Sequence, residues 1–181
     1  MKKITIFLAL VIAAGSLFAQ RKTTTSATVS FDATTSLDAG PKADNKTVIA
    51  AIDTKAGSVQ FEANVKNFTF ANPTMQGHFN GDRWLNSNEF PTFTFKGNIV
   101  DPSSVNFGQD GSYKTEFEGT LSIKGKEQKV RVPGTIVVKG GNISVSANFS
   151  IALADYGISG VPIDAGKVAK QPKITVSADL K

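Results

Sequence analysis

The chain contains no cysteine and only one histidine among its 181 residues. The missing thiols exclude a disulfide framework, thiol catalysis and cysteine-ligated zinc or iron–sulfur sites. A lone imidazole excludes a histidine-rich metal site or two cooperating histidines within one chain. Charge is sparse too: 20 Lys+Arg against 15 Asp+Glu leave a formal +5, without the basic stripe of a nucleic-acid binder. No Walker loop, dinucleotide glycine fingerprint, Gly-x-Ser-x-Gly elbow or His-Glu-x-x-His motif occurs. These absences point away from catalysis, cofactors and metals and leave binding as the expectation. The length suits one domain that buries about 70% of its unfolded surface unaided.

The first 19 residues have the pattern of an export signal. Lys2 and Lys3 are followed by an apolar run from Ile4 to Phe18, ending at Ala19. The run is short for a spanning helix, which needs about 20 apolar residues. Cleavage after Ala19 leaves a single domain, residues 20–181, with a formal charge of +3. The mature chain is expected to be soluble and extracytoplasmic, either periplasmic or secreted.

What the chain does have is alternation, the mark of strands with one buried face. Val59, Phe61, Ala63 and Val65 share a face, as do Phe93, Phe95, Gly97 and Ile99. The same holds from Tyr113 to Ile123, from Ile143 through Phe149 and Ile151 to Leu153, and from Ile174 to Leu180. Residues 27–34, 47–53 and 130–138 are weaker candidates. Asp110-Gly111 and Gly140-Gly141 read as two-residue hairpin turns, Ala56-Gly57 and Gly125-Lys126 as looser ones. The pattern predicts an all-β, antiparallel fold of barrel or sandwich type.

One segment breaks the rhythm. Asn72-Pro73 is a good helix opening, with Asn as cap and Pro at the first helical position. Met75 and Phe79 would share its face. Gly77 and Gly81 limit it to one or two turns. Around it gather Phe68, Phe70, Trp84, Leu85, Phe90, Phe93 and Phe95, the densest apolar stretch after the export signal.

The stretches Met75-Gln76-Gly77-His78-Phe79 and Phe90-Pro91 through Phe95-Lys96-Gly97 resemble those of the YceI-like, polyisoprenoid-binding family. So do Thr28–Phe31, Tyr113–Gly125 and Phe149–Tyr156, so that the resemblance spans essentially the whole mature chain. Two departures stand out: Lys126 replaces a usual apolar residue, and Gln171-Pro172 interrupts the approach to the last strand. The resemblance implies a lipocalin-like, eight-stranded antiparallel β-barrel with a short helical cap. It also implies an exported carrier of an isoprenoid-type lipid, a quinone or polyprenyl chain, with transient membrane contact.

A small barrel is either filled by its own side chains or holds one small ligand. The alternating faces mix large Phe with Gly and Ala, which leaves both outcomes open; the resemblance favours a cavity. On that reading Phe61, Phe68, Phe70, Met75, Phe79, Trp84, Phe93, Phe95, Phe117, Leu121, Phe149 and Ile151 form an apolar lining. His78, Asp155 and Tyr156 are the candidates for a polar mouth. Each also has a structural reading: His78 as a half-buried group bonded to backbone, Asp155-Tyr156 as a turn. The alternative function is a secreted interaction module with a packed core and no ligand. An enzyme ranks last, because no nucleophile accompanies the single imidazole.

Overall fold

Long alternating runs give every strand one face that must be withdrawn from water. The computed structural model, which describes residues 20–181, meets that need by rolling eight antiparallel strands into a closed barrel. The expected export signal lies outside the described residues. The strands are β1 (Arg21–Asp32), β2 (Lys42–Asp53), β3 (Ser58–Asn64), β4 (Thr69–Phe70), β5 (Thr92–Ile99), β6 (Gly111–Ile123), β7 (Lys126–Lys139), β8 (Asn142–Ser150) and β9 (Lys173–Leu180). Their order around the barrel is β1-β9-β8-β7-β6-β5-β3-β2, and β1 pairs with β2 to close it. The two-residue β4 is an extra strand, pairing with Ala43 and Asp44 of β2.

The predicted cap helix is present as α1 (Pro73–Asn80), with the Asn72 side chain accepting from the Thr74 amide. A second short helix, α2 (Val161–Asp164), follows β8 and was not expected from the alternation. Of the turns, Gly140-Gly141 joins β7 to β8 with φ of 55° and 77°, as a primed turn requires. The β6–β7 hairpin turns one residue earlier than expected, on Lys124-Gly125, with φ of 51° and 70°. Asp110-Gly111 is no hairpin: an eleven-residue connection precedes β6, and the Asp110 carboxylate instead accepts from the Gly140 amide at 2.9 Å.

β1 and β2 are longer than their sequence pattern suggested. Register shifts between Thr24 and Ala27 and between Ala27 and Val29 interrupt the period of two. Across from them Asn45 is fully buried, its amide donating to the Asn64 carbonyl and its oxygen accepting from Thr47. A buried amide with its hydrogen-bonding capacity used in this way locks the end of β3 against β2.

At two seams the barrel ladder is incomplete, and the insertions fill them. β7 pairs with β8 only from Gly134 onward, leaving Lys126–Pro133 bonded to β6 alone. Pro133 has no amide hydrogen to offer, so it suits a position where the ladder has ended. The 3₁₀ turn Leu153–Tyr156 packs against this part of β7, and Gln128 donates to the Asp155 carbonyl at 2.9 Å. β2 and β3 likewise part beyond Ile49–Glu62, where the segment of Phe68 and β4 sits. Two insertions, residues 65–91 and 151–172, therefore close the same end of the barrel. At the opposite end Ile52, Ile99, Ile136, Val138, Ile143 and Leu180 are buried together as a packed plug.

Candidate functional site

The lumen is thus divided: filled at one end, hollow beneath the cap. The hollow has a volume of about 130 Å³. Its wall comes from the inward faces of the strands, with Phe61 on β3, Phe93 and Phe95 on β5, Phe117 and Leu121 on β6, and Phe149 on β8. Ile151 continues the β8 face, and the cap adds Phe68, Phe79 and Trp84. Gly134 leaves the room that the Phe117 ring takes; a Cβ there would lie 2.6 Å from Phe117 Cε2. Among the described residues, Thr94 alone brings a hydroxyl, amide or charged side chain to the lining.

Phe79 is the hub of the cap. Its ring centroid lies 5.7 Å from those of Phe31 and Phe68 and 4.9 Å from that of Phe70. Phe68 in turn meets Phe93 at 5.8 Å. Tilted rings at such distances are attractive beyond the area they bury. Phe70 is buried yet lies behind Phe79 rather than in the wall. Met75 shares the helix face of Phe79, but its methyl leans on the β1–β2 connection, 2.9 Å from where a Cβ on Gly40 would sit. One helical turn carries it from the lumen to the rim.

None of the three polar residues expected at a mouth lines the hollow. His78 is exposed on α1, and Asp155 is exposed in the 3₁₀ turn. Tyr156 is 2% exposed and packs into the core around that turn. Burial pushes its phenol up to about 12, with the charge of Asp155 adding to the effect. Polar residues beside apolar runs mark where the chain turns, but not toward which side the side chain points. Lys126, out of place by family pattern, lays its stem along Gly157, with Cε 3.0 Å from where a Cβ there would stand. Arg131 of the same hairpin is paired with Glu116, on the outer face of the barrel.

Several wall residues were not singled out in the sequence. Val29 and Phe31 come from β1, Val132 from β7, Ile174 and Val176 from β9, and Leu153 and Ile158 from the second insertion. For Ile174, Val176 and Leu153 the signal was available, since they lie on alternating faces already recognised. Val132 alternates with Ile136 and Val138 in the candidate strand 130–138, whereas for Ile158 there was no signal, because it lies in an insertion whose position depends on the β7–β8 seam. No three His, Asp or Glu side chains gather as a metal site among the described residues.

The model of the YceI-like domain family matches residues 15–180. No curated protein matches the chain. Among solved structures, a polyisoprenoid binding domain from Saccharophagus degradans, implicated in plant cell wall breakdown, superposes with a TM-score of 0.75 at 14% identity, covering 90% of this chain and 98% of that one. BcnA of Burkholderia cenocepacia gives 0.70 at 22% identity, over 86% and 96%. The YCEI protein of Campylobacter jejuni gives 0.54 at 20%, over 74% and 80%. At such identities these likenesses establish the barrel alone.

Proposed function

The chain belongs to the YceI-like family, and from that premise we propose that its hollow shelters the apolar tail of an isoprenoid-type lipid, a quinone or a polyprenyl chain. The observation that carries the reading is the lining: among the described residues, aromatic and aliphatic walls whose polar side groups are the Thr94 hydroxyl and the Trp84 indole N–H. Such a wall recognises a tail and leaves the head group to solvent or to the rim. Among the described residues this wall holds no acid, base or strong nucleophile, which supports a role in binding without catalysis.

Magnitudes bound the ligand. Each buried CH₂-sized group contributes about 0.8 kcal/mol, or about 4 kcal/mol per five-carbon unit. Association costs roughly 4–15 kcal/mol, so micromolar binding needs about three to five units. A hollow of about 130 Å³ is close to one known to take benzene. It accommodates about one unit as it stands. A longer tail requires rings to swing aside, and Phe31, Phe61, Phe93, Phe95 and Phe149 are all partly exposed along the lumen.

The same proposal puts the mature chain outside the cytoplasm, on the strength of Lys2, Lys3 and the apolar run to Phe18. Extraction of natively purified protein followed by mass spectrometry tests the reading. An isoprenoid lipid should be recovered, and the intact mass should begin at Gln20. Protein that yields no lipid and does not bind an added quinone or polyprenol would overturn it.

A further inference from the structure

We propose that Phe117 is the stop that sets how long a tail the lumen takes. This rests on the reading of the hollow as a lipid site and names the residue that limits the length of its guest. Hydrophobic transfer alone favours every longer chain, because each further buried carbon adds to the affinity. A preference for length therefore has to come from a part of the wall that does not yield.

The floor of the hollow is such a part. Three lining residues pair directly with residues of the packed plug: Val59 with Ile52, Phe117 with Ile99, and Val145 with Ile136. All six are buried, and they mark where the hollow passes into filled interior. Phe117 is the largest of the three lining members. Among the described residues, it is also the one phenylalanine of the strand wall that is buried, at 4% exposed. Phe61, Phe95 and Phe149, higher in the wall, remain partly exposed.

The ring is seated as well as buried. Phe117 pairs with Val132 across the β6–β7 ladder, yet its ring reaches the next inward position, Gly134. Cε2 and Cδ2 lie 2.6 and 3.2 Å from where a Cβ on Gly134 would stand. Gly134 is one step nearer the plug, so the ring leans away from the cap. Ile136, fully buried, follows on the same face of β7. With close-packed side chains beyond it, the ring has nowhere to turn when a tail presses down from the cap end. The partly exposed rings above it do have room to turn. A guest lengthens by displacing those until its end meets Phe117. Carbons in excess of that length stay in water and add no affinity. Truncating the ring to alanine would free space for about one more isoprene unit, close to what the hollow of about 130 Å³ holds now.

Competition binding with geraniol, farnesol, geranylgeraniol and longer prenols in mild detergent tests the proposal on the whole protein. In the parent, affinity should rise with each unit and then level off. Phe117→Ala should move the levelling point by about one unit and tighten binding of the next longer prenol about tenfold (about 1.4 kcal/mol). Phe117→Leu, which keeps the plug covered, should move it the same way by less, and it decides the matter if the alanine variant does not fold. Phe93→Ala removes a ring that meets Phe68 of the cap. It should change affinity at every length without moving the levelling point. An unmoved levelling point in a folded Phe117 variant, or an equal loss of affinity at all lengths, makes the ring merely structural. Either result overturns the stop and leaves the lumen reading intact, as does a parent affinity that never levels off. A parent that binds no prenol of any length sinks the lumen reading, and the stop with it.

Discussion

Gly97 of β5 and Gly119 of β6 stand opposite each other in the ladder, too close for a side chain on either. A Cβ on Gly119 would lie 2.6 Å from Gly97 Cα and 2.4 Å from the Lys96 carbonyl oxygen. A Cβ on Gly97 would meet Gly119 Cα at 2.9 Å and the Phe95 ring at 2.7 Å. The pair lets the two strands press together and lets Phe95 fold over Gly97 at the wall of the lumen. Gly119→Ala should therefore destabilise by about 3 kcal/mol or more, because the colliding atoms are backbone and cannot step aside. Urea denaturation at neutral pH measures it. Gly77→Ala is the contrast: a Cβ there meets nothing within 4 Å, in a helix. It should stabilise by about 0.5–1 kcal/mol.

Phe79 concentrates the packing of the cap. Phe79→Ala removes three ring contacts at once and should cost about 3–5 kcal/mol. It also widens the hollow. A lower thermal midpoint, together with stronger uptake of an apolar dye, is the expected pair of results.

Ala147 offers the opposite change. It lies on β8 between Gly134 and Val176, 7% exposed and in the lumen wall. Ala147→Leu places three more carbons in a hollow of about 130 Å³. Overpacking should cost about 1–3 kcal/mol, leaving a folded barrel by circular dichroism. Retention of a polyprenol or quinone should fall steeply; unchanged retention would place the ligand elsewhere.

Alkali should weaken the fold through Tyr156. Its folded value is raised from 10.0 to about 12, by burial and then by Asp155. An acid group held neutral in the fold contributes stability that is whole below the unfolded value. That contribution is lost as pH climbs from 10 to about 12. Stability measured across this window should decline in the parent protein, and Tyr156→Phe should flatten the decline.

Much of the barrel is legible in the alternation itself. From Val59 to Val65, and again along β6 and β8, a strict period of two identifies both the strands and their buried faces. Asn72-Pro73 locates α1. Errors fall where the period breaks. The bulges near Ala27 hide the start of β1, and Asp110-Gly111 looks like a turn while serving as a cap for the neighbouring hairpin.

Among the site residues, Phe95 and Phe149 were legible because large inward side chains on alternating strands must meet inside a closed sheet. His78, Asp155 and Tyr156 were not, because a polar side chain beside an apolar run can face either way at little cost. Sequence alone determined that these strands need a shared apolar interior, since their spacing leaves one greasy face on each. Whether that interior is full or hollow was decided only in three dimensions. It depends on how closely Gly97 and Gly119 let two strands approach, on where β7 leaves β8, and on how Phe79 seats in the cap. Each is a distance between residues remote in the chain, and no local pattern encodes it.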